Sequence, residues 1–289
     1  MADKNNKTDK VVEPEVPFMS HLVELRDRLL RAVLVVLIIF LALFTFSNEL
    51  YALLAEPLLI HLPTGSSMIA TEVASPFLTP FKLSMMSAIF IGMPFILYQL
   101  WAFIAPGLYK HEKSLAFPLL FSSIILFYLG MVFAYFVVFP LMFQFFAGIT
   151  LEGVTMMTDI TKYLDFVLKL FFAFGLAFEV PIATILVIST GMTTADKLAE
   201  KRPYIIVVAF IAGMLLTPPD VVSQMLLAVP IWILFELGLI FSRILTRKKA
   251  RLAKEREAQE ERELDDEFEQ AIAEEESLNK KDDSDSAKS

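Results

Sequence analysis

Six stretches of almost unbroken apolar sequence, residues 32–46, 89–106, 115–146, 166–189, 204–216 and 221–241, restrict what this chain can fold into. Several reach the ~20 residues that an α-helix needs to cross ~30 Å of hydrocarbon. Hydrophobic residues make up 56% of the chain, above the share of an ordinary soluble domain, and 27 residues are Phe. The excess is gathered into these blocks rather than spread in alternating or half-helix patterns. An integral membrane protein is expected.

Basic residues then set an expected topology, because they stay on the cytoplasmic side. Of the 25 Lys and Arg residues, six lie in residues 1–31, two in 106–114, three in 189–202 and eleven from 242 onward. The intervening loops 47–75, 140–161 and 218–220 hold none and carry Glu49, Glu56, Glu72, Glu152, Asp159 and Asp220 instead. This alternation implies an all-α fold of six spans, near 29–46, 77–105, 115–140, 162–188, 204–217 and 222–241, with both termini cytoplasmic. Pro203 suits a first helical position and Pro218-Pro219 stops the fifth span after about 14 residues, or ~21 Å. Pro80 and Pro94 fall inside the longest span and favour kinks. Short and bent spans together point to a concave assembly rather than a compact bundle.

Three regions follow. Residues 1–28 form a cytoplasmic N-terminal segment, 29–241 the spanning domain, and 242–289 a charged tail too polar to bury a core. The tail is expected to be mobile, although its charge spacing would support a solvated helix over 247–276. Its basic cluster at 247–251 suits a membrane surface. Asp3, Asp9, Glu13 and Glu15 among the N-terminal lysines, with no small-x-small cleavage site, argue against a cleaved signal peptide.

The chemistry of bond making is missing from the pattern. There is no cysteine, no phosphate loop, no dinucleotide fingerprint and no H-E-x-x-H. His21, His61 and His111 are scattered, and the topology puts His61 on the other side of the membrane. No enzyme activity, metal, cofactor or nucleic-acid partner is expected.

What stands out is polar groups in costly places. Glu179, in LFFAFGLAFEVPIATILVIS, lies near mid-membrane, where a carboxylate costs ~3 kcal/mol on insertion scales. It either fixes helix packing or lines a cavity open to water or a partner. Lys169 is close enough to a span end to snorkel, and Lys82 and Glu236 read as interfacial. Phe103 to Ser114, FIAPGLYKHEKS, crowds an aromatic pair, Lys110, His111 and Glu112 into one turn. His21 to Arg31, HLVELRDRLLR, has Leu22, Leu25, Leu29 and Leu30 on one stripe with Glu24, Arg28 and Arg31 off it, the pattern of an amphipathic interfacial helix. Glu24 and Glu112 share the cytoplasmic face, and carboxylates beside apolar surface suit a guanidinium.

The strings HLVELRDRLLRA, MIATEVASPFLTPFKLS, LYQLWAFIAPGLYKHEKS, FYLGMVFAYFVVFPL, FGLAFEVPI, KRPYIIV and GMLLTPPDVVSQ, in this order, resemble the TatC family, the six-span core of the twin-arginine protein translocase. F-x-x-P-x-L-Y-x-x-E, F-E-x-P and L-T-P-P-D are its specific patterns. The resemblance implies a glove-like fold and a receptor for signal peptides bearing paired arginines. With TatA-like and TatB-like single-span partners, in an oligomeric complex, it would export folded proteins across the bacterial inner membrane on the proton-motive force. Glu24, Arg26, Phe103, Lys110 and Glu112 would form the signal site. Glu179 would face the concave side, Met214, Leu215, Thr217 and Gln224 would dock partner helices, and Pro57 and Asp220 would be further functional positions. The alternative is a proton-coupled small-molecule transporter using Glu179, which the lone intramembrane acid and the lack of repeats disfavour.

Overall fold

The computed structural model describes residues 18–52, 69–104, 113–148, 157–216 and 220–286, and among them the regular structure is helical, with one isolated bridge between Ile69 and Asp159. The helices are α1 (Phe18–Phe44), α2 (Ser75–Ile104), α3 (Lys113–Phe133), α4 (Phe139–Gly148), α5 (Ile160–Ala177), α6 (Val180–Ser189), α7 (Ala195–Ala199), α8 (Arg202–Leu216) and α9 (Val221–Ser286). Four helical stretches are long and apolar enough to cross a membrane: Ser75–Ile104, Phe117–Phe146, Ile160–Ser189 and Val221–Leu264. Arg202–Leu216 is apolar but shorter, as its flanking prolines predict.

Residues 18–44 contain neither Pro nor Gly, so the expected interfacial helix and the first span are one uninterrupted helix. The leucine stripe is present but turned outward. Leu22, Leu25, Leu29 and Leu30 are 43–62% exposed, whereas Glu24, Asp27 and Arg28 are partly covered by the protein. α1 packs on α2 in antiparallel register, with Arg28 reaching Gln99, Val36 beside Gly92, and the Phe44 ring 6.1 Å from that of Phe81.

α2 runs unbroken through Pro80 and Pro94. Pro94 has no N–H to give the carbonyl of Phe90, and the Tyr128 hydroxyl on α3 donates to that oxygen at 3.0 Å instead. A wider turn answers Pro140. Residues Ala134–Val138 form a π-helical turn, closed by the Phe139 N–H donating to Ala134 O, which makes room for the proline ring one residue on. The third unit therefore continues to Gly148, beyond the expected end at 140.

The expected span over 162–188 is two helices. α5 ends at Ala177, α6 starts at Val180, and Pro181 sits in the first turn of α6 with Glu179 at the joint. α9 packs along α6, and Gly238 allows it: a Cβ there would lie 2.8 Å from the Pro181 Cα. α9 then runs on through the charged tail as a single helix of 66 residues.

The core between α2, α3, α4 and α5 is aromatic. Phe127, Phe139 and Phe174 are fully buried, with Phe171 against Phe139 at 5.1 Å and against Phe90 at 6.1 Å between centroids. Between helices in hydrocarbon such packing is held by close contact rather than by expulsion of water. Gly130 permits it, since a Cβ there would lie 2.8 Å from the Phe174 carbonyl carbon. Gly130→Ala should therefore lower thermal stability in detergent by ~1–3 kcal/mol through overpacking. Gly148→Ala, whose Cβ would meet nothing within 4 Å, should leave it unchanged.

At the end of α2 remote from Gln99, Asp159 caps α5 by accepting from the Thr161 and Lys162 amides at 2.8 and 2.9 Å. It also accepts from the Thr71 amide at 3.0 Å and from the Thr71 hydroxyl. These donors, the Thr71 hydroxyl foremost, hold the carboxyl at about 2, below its ordinary 3.8. A depressed folded value gives stability that is complete above the ordinary one and lost as pH falls through about 2. Hydrogen exchange at Thr161 and Lys162, corrected for intrinsic rate, should stay protected at pH 4 and open below about 2. Asp159→Ala should open both amides at neutral pH.

Candidate functional site: two polar stations on an apolar frame

The first station is at the N-terminal end of α1. Glu24 Oε1 accepts from Arg28 Nε at 2.9 Å and Nη2 at 2.6 Å, one helical turn on, and Arg28 Nη1 donates to the buried Gln99 amide oxygen at 3.4 Å. Gln99 lies in the last turns of α2, four residues before Phe103, which is half-buried. The antiparallel register thus sets Glu24 and Phe103 at the same end of the α1–α2 pair. Arg26 is directed elsewhere: it pairs with its neighbour Asp27 at 2.8 Å and is 66% exposed. Glu24 is thereby held in a fixed rotamer by a guanidinium, a contact that the leucine stripe gave no means of finding. Lys110 and Glu112 lie outside the described residues, as does Pro57.

The second station is the joint between α5 and α6. The Ser123 hydroxyl of α3 donates to Glu179 Oε2, and Ser123 is 1% exposed. Glu179 Oε1 is buried with no hydrogen-bond partner among the described residues. One oxygen of the acid is thus fixed by a neighbouring helix, and the other is enclosed without a donor among the described residues. Ser123 was missed by sequence reasoning, since its only signal was a Ser-Ser pair in an otherwise apolar span.

Near the α8–α9 turn, Asp220 Oδ1 caps α9 by accepting from the Ser223 amide at 2.7 Å. Asp220 Oδ2 and the Ser223 hydroxyl are buried without partners among the described residues. Gln224 follows, half-buried against α8. Met214 and Leu215, 54% and 74% exposed, are on the adjoining end of α8, and Thr217 lies outside the described residues. The structure therefore sets Met214 and Leu215 in the last turn of α8 and Asp220 and Gln224 at the start of α9, whereas Glu24 and Phe103 belong to the α1–α2 pair.

The three lysines and acids read as interfacial resolve differently. Lys82 donates to Asp165 of α5 at 2.7 Å, and Glu236 accepts from Arg202 of α8 through both carboxylate oxygens. Lys169 is exposed. Among the described residues no group of His, Asp and Glu is arranged to hold a metal ion.

Comparison with known proteins agrees with this frame. Residues 20–230 match the family profile described as Sec-independent protein translocase protein (TatC). A protein of that name from Azotobacter chroococcum is 61% identical over 229 residues, 79% of this chain and 90% of its own. The one from Escherichia coli K12 is 56% identical over 237 residues, 82% of this chain and 92% of its own. A crystal structure of the twin-arginine translocase receptor TatC superposes with a TM-score of 0.71 at 39% identity, over 78% of this chain and 99% of that one. The all-helical frame is shared with that structure, and this chain belongs to the TatC family of Sec-independent protein translocase proteins.

Proposed function

We propose that this TatC protein is the receptor of a twin-arginine translocase. It lies in the bacterial inner membrane as six spans with both termini cytoplasmic, α1 and α8 being the two shorter crossings. Residues 1–28 form its cytoplasmic approach, 29–241 the spanning domain and 242–289 a cytoplasmic tail. Glu24, Phe103, Lys110 and Glu112 take up the paired arginines, and Arg26 flanks them. What supports this most is that Glu24 and Phe103 share one end of the α1–α2 pair. A carboxylate beside an aromatic ring offers a guanidinium both a bidentate partner and a face to stack on.

Arg28 already occupies Glu24, so an incoming arginine exchanges one guanidinium for another. The displaced Arg28 keeps its contact with Gln99. The hydrophobic part of the signal then lies along the concave face, towards Glu179. TatA-like and TatB-like helices dock on Met214, Leu215, Thr217 and Gln224, where Asp220 Oδ2 and the Ser223 hydroxyl, without partners among the described residues, favour a polar group on the incoming helix. Pro57 shapes the outer loop. Passage of folded cargo draws on the proton-motive force rather than on nucleotide.

Export of a folded reporter should be abolished by Glu112→Ala while the protein inserts at its normal level, and unimpaired export would remove Glu112 from the site. A photoreactive group at Phe103 should crosslink a signal with paired arginines and lose that product when both are lysine. For Glu179, Gln retains a hydrogen-bonding amide and abolishes the charge. Export by Glu179→Gln near the normal rate, with Glu179→Ala inactive, is the expected pair of results if the joint needs a hydrogen bond; failure of both shows a need for the acid.

A further inference from the structure

At the end of α2 opposite Glu24 and Phe103, a pocket of about 410 Å³ opens beside the N-terminus of α5. Its polarity is graded. Glu72 precedes the helix and Ser75 starts it, Lys82 lies seven residues in, about 10 Å at helical rise, and Met85 and Met86 line the pocket further along the helix. The floor is firm, because the Thr161 hydroxyl bonds the 1%-exposed Ser75 and Thr79 hydroxyls at 2.9 and 3.1 Å. The Lys82 ammonium is held by Asp165 at 2.7 Å through one of its three N–H donors, which leaves two for a ligand. Glu72 is exposed and its carboxylate has no partner among the described residues.

We propose that this pocket binds one zwitterionic, amine-bearing phospholipid. The phosphate meets Lys82, the headgroup ammonium meets Glu72, and an acyl chain follows Met85 and Met86 towards the membrane centre. Charge decides between lipids: Lys82 and Asp165 cancel, and Glu72 leaves the mouth with one net negative charge. An anionic headgroup without an amine would face that charge unpaired, and a purely apolar segment would leave Lys82 and Glu72 unused. The size suits a headgroup and the start of a chain, since small-molecule sites run from ~300 to ~1,000 Å³.

The test uses the full chain reconstituted in nanodiscs from equal amounts of phosphatidylethanolamine and phosphatidylglycerol, then extracted in mild detergent, with both lipids counted per chain by mass spectrometry. The retained lipid should favour phosphatidylethanolamine about threefold, the order expected for one exposed charge contact. Glu72→Gln should return the ratio to one while lipid is still retained. Met86→Trp, which fills the methionine end, should remove the retained lipid, and helix content by circular dichroism should be unchanged in both. An unaltered chain that retains the two lipids equally, or favours phosphatidylglycerol, overturns the proposal. So does a preference that survives in Glu72→Gln or lipid retention that survives in Met86→Trp.

Discussion

In hydrocarbon every backbone polar group must find its partner within the protein, because no water is there to supply one. This chain places prolines inside its helices at positions 80, 94, 118, 140, 181 and 230, and each removes a donor from a helical ladder. The answers it finds organise the fold. Tyr128 of α3 reaches across to the Phe90 carbonyl, a π-helical turn admits Pro140, and the helix that meets Pro181 breaks in two. Each repair ties one helix to another or bends it, so the prolines set the tertiary arrangement as much as the local geometry.

The third repair also creates the intramembrane polar station. A break at residues 178–179 sets Glu179 at the joint, where its side chain can turn to Ser123 on α3. The costs offset one another in part: the acid loses water but gains a hydroxyl donor, and the neighbouring glycines let α3 and α9 approach the joint closely on two sides. Polar chemistry in this protein sits where the regular helix is interrupted or ends, at the joint, at the α8–α9 turn and at the α1–α2 end. The aromatic core between them holds these positions apart.

The helical spans were legible because their blocks are long and because Lys and Arg punctuate them. Pro203 and Pro218-Pro219 bounded α8 to within a few residues, and α8 is as short as they require. The break at Glu179 was half legible: F-E-x-P was noticed, but whether a proline kinks, widens or splits a helix depends on what neighbouring helices can donate. The direction of α1 was not legible. A leucine stripe faces the core in water and faces lipid in a membrane, and periodicity is the same in either case. The pairings Glu24 with Arg28, Arg28 with Gln99 and Ser123 with Glu179 depend on register between helices, which sequence spacing along one helix does not carry.

α9 has a mechanical consequence. The helix is clamped against α6 at Gly238, beside the joint, and it continues without a break to Ser286. From Phe241 to Ser286 it extends for about 68 Å. A helix that long, fixed at one end, is a lever: a sideways load at its far tip is felt at the clamp as a torque multiplied by that arm. Whatever grips the tail therefore holds mechanical purchase on the broken helix and its acid.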